Sequence, residues 1–328
     1  MTAGSTLHAG RGGIWVSDAD GALGTRVLGR LGAHAGFHTV AAEACDVAVY
    51  AGAADPDTLA RRRQSITRGA AAVFDQIDHA HHLVLVSSAM VYGAWENNPV
   101  PLTEDAPVRP DNEFAYARQL ATVEHMADEW RRARPGRTVT VLRPVIAMAA
   151  NGTSGLARAL AAGLGQRFAV DDPPSQFLHL DDLASAVVLA AEESLDGVFN
   201  VAPDGYVPAA SVRALAGAAP RLQLPDRLAD VVNTVRWRFQ RGPIPPGLRS
   251  YTRSPWLVAN DRLKARGWRP TVTNEQAYVE GTEAKWWTMI TPKRRQELSL
   301  GALVVGGVGV IATIVAVIRS VRRRRARR

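Results

Sequence analysis

A chain of 328 residues, 47% hydrophobic and 21% charged, is long enough to bury a large core, so a folded protein of one big domain, or one domain with a smaller lobe, is expected. Cys45 is its one cysteine, which excludes an internal disulfide and suits a reducing compartment. The net charge of +8 does not mark a nucleic-acid partner: from Lys285 onward eleven Lys or Arg face one acid, a local +10 that leaves the rest of the chain near −2.

The opening residues hold no apolar run before the first strand-like stretch, so no secretory signal is expected. GIWVS (13–17) reads as a strand, followed by a turn and helix in GALGTRVLGRLGAHAG. CDVAVYAG (45–52), HLVLVSS (82–88) and TVTVLRP (138–144) are continuous apolar runs of the buried parallel kind. Helical patterns over 55–77 and 112–134 separate them, and strands alternating with helices imply βαβ units in a doubly wound parallel sheet. FLHLDDLASAVVLAAEES begins as a short strand and becomes a helix capped by Asp181 or Asp182. Past Ala202 the pattern breaks into Pro-rich and Arg-rich stretches, read as a small lobe over the strand ends.

Two side-chain clusters stand out on the way. Asp78, His79, His81 and His82 have the residue types of a metal site, but their place in a loop entering a strand favours a solvated connection, and no metal is expected. Between 236 and 256, Arg236, Arg238, Arg241, Arg249 and Arg253 interleave with aromatics; phosphate binding, lipid headgroups and an ordinary polar surface are all open to them.

Leu300 to Ile318 is nineteen residues without a charge, roughly 28 Å as a helix, close to the hydrocarbon thickness of a bilayer. Seven arginines follow between Arg319 and Arg328, and Lys293, Arg294 and Arg295 precede it. A transmembrane helix over 299–318 is expected, between a juxtamembrane segment (283–298) and an arginine-rich tail (319–328) that meets membrane lipid. Orientation is contested. The positive-inside rule keeps the arginines cytoplasmic, while a body without an export signal is cytoplasmic too. Translocated arginines, a segment that turns back at its glycines, or export by another route would each resolve the conflict. The reading adopted is a single C-terminal anchor with a cytoplasmic body.

LVLVSSAMVYGAWENNPVPLTEDAPVRPDNEFAYARQLATVEHM, with LRP (142–144), FLHLDDLA (177–184), GVFNVA (197–202) and GWRP (267–270), resembles the extended short-chain dehydrogenase/reductase family, in its NAD-dependent epimerase/dehydratase group, over roughly residues 13–282. The resemblance implies a Rossmann-like α/β domain (12–170, shortened after the first βα unit), a segment at 171–282 returning to the core with a small substrate lobe, and NAD or NADP as cofactor. It also implies that Ser88 and Tyr116 hydrogen-bond the oxygen on the reacting carbon. A nucleotide-sugar ligand held by Arg249 and Arg253, and a homodimer or protein partner, follow from it as well.

Three departures set the chain apart from that pattern. The family's lysine four residues after the tyrosine is here Leu120, so the cation that favours tyrosinate and binds the nicotinamide ribose is missing. Arg118 lies about 200° round the helix from Tyr116, and Gln119, at i+3, could bond a sugar hydroxyl without carrying charge. The glycine loop runs Ser17-Asp18-Ala19-Asp20-Gly21-Ala22-Leu23-Gly24: Gly21 and Gly24 are kept, but Asp18 stands at the first glycine position. A carboxylate about 5 Å from a phosphate costs up to ~3 kcal/mol at an effective dielectric near 20, unless Asp18 and Asp20 serve only as helix caps. Finally, about twenty residues separate Gly24 from Asp46, room for one helix and a short FHTV strand but not for the adenosine platform. The expectation is a membrane-anchored relative of these enzymes with lost or impaired hydride transfer, acting in binding or assembly. The alternatives are an active oxidoreductase or epimerase using Ser88 and Tyr116, and a pure membrane-interaction protein.

Overall fold

The computed structural model describes residues 12–33, 36–51, 66–164, 173–215 and 246–282. The chain divides into two compact units, 1–216 with 223–283 and 217–222 with 284–328, and every described residue belongs to the first. The apolar segment and arginine tail expected to meet the membrane lie outside the described residues, as do Arg236, Arg238 and Arg241. Among the described residues no helix is long and apolar enough to cross a membrane.

In chain order the elements are β1 (Gly13–Val16), α1 (Ala22–Ala33), β2 (His38–Thr39), β3 (Val47–Tyr50), α2 (Ile66–Gln76), β4 (His82–Val86), α3 (Ala115–Arg132), β5 (Thr138–Pro144) and β6 (Ile146–Met148). They continue with α4 (Gly155–Gly163), β7 (Phe177–His179), α5 (Leu180–Glu192), β8 (Gly197–Val201), α6 (Ala209–Leu215), α7 (Asp261–Lys264) and α8 (Asn274–Gly281). Six strands form one parallel sheet in the order β2-β1-β3-β4-β5-β8, and β6 pairs with β7 in a separate parallel ribbon.

The apolar runs are continuous because both faces of the sheet are covered. Along β3, Val47 and Val49 pack on one side with Val84, Val86, Leu142 and residues of α1 and α5. Ala48 and Tyr50 pack on the other with Leu83, Leu85, Val141 and residues of α2 and α3. This alternation is the two-residue period of a pleated strand.

Strand order reverses between β1, whose crossover leads outward to β2, and β3 on its other side. The Ser17 hydroxyl accepts from Ala51 N at 2.8 Å and Ser17 N donates to Val49 O at 2.9 Å, tying the two strand ends together there. Such a reversal opens the crevice in which doubly wound proteins bind ligands.

The helix after β7 starts differently from the expectation. His179, not an aspartate, is its N-cap, its Nδ1 accepting from Asp181 N at 3.2 Å. Asp182, 1% exposed, accepts instead from Thr271 N, Thr271 Oγ1 and Val272 N at 2.6–3.1 Å, so it pins the segment after Trp268 onto the sheet domain. Asp181 takes the Nε of Arg26 at 2.9 Å and thereby joins α5 to α1.

Candidate functional site

A cleft of about 80 Å3 opens at the C-terminal ends of β1, β3, β4 and β5, and its lining includes Asp18, Ser88 and Tyr116. Ser88 follows β4 in extended conformation and caps the 3-10 turn Ala89–Tyr92, its Oγ accepting from Met90 N at 3.2 Å. Tyr116 stands in the first turn of α3, half-buried, its ring 5.7 Å from Phe114. Ser88 and Tyr116 thus line the same cleft. Trp256 lines the same cleft, whereas Arg249 and Arg253 are not among its described lining residues.

Leu120 is fully enclosed, in the core cluster with Phe74, Leu85 and Val123 on the far side of the sheet from α1. Gln119 is occupied structurally: its Oε1 accepts from Ile66 N, the first residue of α2, at 2.7 Å. A sugar-binding role for Gln119 is thus replaced by the capping of a neighbouring helix. Arg118 is exposed, as its place on the helix implied.

The glycine turn is tight for a reason visible in its geometry. Asp18 has φ +52, a left-handed conformation that aspartate tolerates, and its carbonyl accepts from Gly21 N at 2.8 Å. A Cβ on Gly21 would strike the Asp18 carboxylate, and one on Gly24 the Asp18 carbonyl. The carboxylate folds over the start of α1, where a phosphate would meet the helix N-terminus. Between Gly24 and Asp46 the described elements are α1, the two-residue β2 with both residues exposed, and the 3-10 turn Ala42–Ala44, in which Glu43 is exposed. These residues do not fit a dinucleotide cradled in the usual way. Asp18 stands at the glycine turn, and the side chain at position 120 is a buried leucine in place of the family's lysine.

Beneath the cleft runs a buried polar chain that the sequence reading does not single out. Ser87 Oγ donates to Glu124 Oε1 at 2.5 Å, and Arg143 donates to the same carboxylate through Nε at 3.1 Å and a terminal nitrogen at 2.6 Å. The guanidinium lies 4.7 Å over the Tyr92 ring, Tyr92 OH donates to Asn200 Oδ1 at 2.8 Å, and Asn200 N donates to Glu104 Oε1 at 2.9 Å. Burial opposes the charge on Arg143, but its bonds to Glu124 hold its pKa above the ordinary value; burial pushes the Tyr92 hydroxyl up. A signal did exist: an arginine within the apolar run TVTVLRP needs a buried acid, and Glu124 is the acid on the helix that covers it.

In the cluster around 78–82 two side chains have structural partners. Asp78 is engaged by Arg134 and Arg137, and buried His82 bonds Thr138 Oγ1 at 2.7 Å and Ala190 O at 3.2 Å. Among the described residues no group of three potential ligands comes together.

The model of the NAD dependent epimerase/dehydratase family matches residues 19–202, more than half of the chain, and the chain belongs to that family. A 3-diazoavenalumate denitrifying reductase of Streptomyces sp is 30% identical over 230 residues, 66% of this chain and 70% of that protein. An uncharacterized protein of Mycobacterium tuberculosis (strain ATCC 25618 / H37Rv) is 30% identical over 138 residues, 42% of this chain; the match takes in 37% of the mycobacterial protein's length. Among solved structures, the UDP-glucose 4-epimerase of Thermus thermophilus in complex with NAD superposes with TM-score 0.59 at 16% identity, over 82% of this chain and 97% of that one. RMD from Pseudomonas aeruginosa complexed with NADPH gives 0.56 at 17%, over 82% and 98%. At these identities the structural likeness shows the fold, and NAD or NADP is the cofactor class that family resemblance supports.

Proposed function

We propose that this protein is an epimerase/dehydratase-family member that keeps a ligand cleft at Ser88 and Tyr116 but is impaired in hydride transfer, and that it works as a binding or assembly protein tethered to a membrane. The observation that carries the reading is Leu120, fully enclosed in apolar packing at the position of the family's lysine. The side chain at position 120 supplies none of the charge that, in the family pattern, favours tyrosinate. The carboxylate of Asp18 over the first turn of α1 acts in the same direction, against the cofactor's phosphates. The tether rests on the uncharged stretch 300–318 with its basic flanks, and a cytoplasmic body with a C-terminal anchor is the topology proposed.

A second reading, a working reductase, is favoured by two observations: Ser88 and Tyr116 share one cleft, and the 30% identity reaches across most of a Streptomyces protein named as a reductase. Titration of the full chain in detergent micelles with NADH and NADPH separates the two. Binding no tighter than the millimolar range supports the first reading. Micromolar binding with substrate turnover overturns it and establishes the second.

A further inference from the structure

The walls of the cleft also restrict what it can hold. We infer that its ligand is a small, uncharged, apolar molecule of about one ring carrying an acceptor oxygen, rather than a phosphorylated sugar; this rests on the proposed reading of the cleft as a binding site. Its lining includes the aliphatic side chains of Ile146, Leu156, Leu160 and Leu183 and the indole of Trp256.

Aromatic rings secure that indole. Trp256 meets Tyr251 at 5.4 Å, Tyr251 meets Phe114 at 5.5 Å, and Phe114 meets Tyr116 at 5.7 Å. Tyr251 OH is fixed to Met90 O at 2.6 Å, so the wall is anchored and not a loose flap.

Among the described lining residues there is no Lys, Arg or His, and the one charged side chain, Asp18, is an acid. A phosphate or carboxylate entering such a site would shed its water without gaining a countercharge from these residues. Polar recognition is instead left to hydroxyls. Ser88 Oγ and Ser154 Oγ each accept one backbone bond, from Met90 N at 3.2 Å and Ala157 N at 3.1 Å, and a hydroxyl that accepts still has a hydrogen to donate. These two donors, in a lining whose other polar side chains are Asp18, Ser87 and Tyr116, match a carbonyl or hydroxyl oxygen. The cleft's volume of about 80 Å3, roughly half the size of an apolar cavity known to take benzene, matches a single ring better than a nucleotide sugar.

The test uses two probes of nearly the same shape, acetophenone and benzoate, with UDP-glucose as the third, each titrated into the full chain in micelles and followed by protein NMR. Acetophenone is expected to bind at least tenfold more tightly than benzoate, with UDP-glucose showing no saturable binding. Leu160→Trp, which fills the cleft, abolishes the acetophenone shifts; if that variant unfolds, Ser154→Ala, expected to weaken acetophenone binding several-fold, serves in its place. Benzoate or UDP-glucose binding as tightly as acetophenone, or no acetophenone binding at all, overturns the inference. NADH titrated alone reads the functional proposal separately: micromolar NADH binding sinks that proposal whatever acetophenone does.

Discussion

Arg143 grips both oxygens of Glu124 in the interior, where their side chains are 6% and 10% exposed. The pair couples α3, which carries Tyr116, to β5, whose last residue Pro144 lines the cleft. Removing one partner strands a buried charge. Glu124→Leu is expected to destabilise the protein by about 3–5 kcal/mol in urea unfolding, while the double change Glu124→Leu with Arg143→Met recovers most of that loss. Additive losses in the double variant would show that the two side chains do not act as a pair.

Asp18→Gly should remove both the left-handed strain and the charge at the glycine turn. An affinity for NADH raised tenfold or more over the parent is expected, within the ~3 kcal/mol ceiling of one repulsion at an effective dielectric near 20. Unchanged NADH affinity would mean that the carboxylate does not limit cofactor entry. Leu120→Lys added to this variant puts an ammonium into the core cluster of Phe74 and Leu85 and is expected to lower the urea midpoint; turnover appearing in the double variant would show that the lysine reaches Tyr116.

His82 sets an acid limit on stability. Burial lowers its pKa, so the native state resists the proton that the unfolded chain accepts near 6.5. The unfolded state binds more protons as the pH falls below about 6.5, and stability declines there by up to ~1.4 kcal/mol per pH unit. Urea midpoints between pH 7.5 and 5 measure the slope, which His82→Gln should flatten. An equal slope in the variant would assign it to another group.

Cys45 should be inert in the folded protein. Its thiol is buried and donates to Ala42 O at 3.1 Å, and burial pushes its pKa up to about 11. The thiol reagent DTNB at pH 8 is expected to react only as fast as the protein opens, and stoichiometrically once urea unfolds it. Full labelling within seconds under native conditions would contradict the placement.

Gly247 admits the loop that secures the cleft. A Cβ there would stand 2.6 Å from Glu113 O and from Phe114 Cα, backbone atoms that cannot swing aside. Gly247→Ala should cost about 1–3 kcal/mol and loosen Tyr251 and Trp256, seen as a red shift in tryptophan emission. An unaltered spectrum and midpoint would show that the contact is slack.

The sheet is legible in the sequence because its strands are buried on both faces: CDVAVYAG and HLVLVSS have no polar alternation, and a parallel sheet under two helical layers accommodates that. Ser88, Tyr116 and the enclosed Leu120 are legible from the motifs that hold them. His179 as a cap is not, because it acts through a ring nitrogen in place of the shorter carboxylates that follow it. Gln119 reads as a ligand-facing residue because its partner, the first N–H of α2, is set by tertiary packing that helix geometry does not reveal. Glu124 and Glu104 escape notice because each finds its partner, Arg143 or Asn200, only through long-range folding, although an arginine in a buried strand demands one.

Leu120 finally bears on stability as well as on chemistry. An isobutyl group buried in one cluster with Phe74 and Leu85 tightens folding at the position where the family pattern has a lysine. A lysine at 120 would trade that burial for an ammonium in an apolar wall, so chemistry and sturdiness pull in opposite directions at this one position.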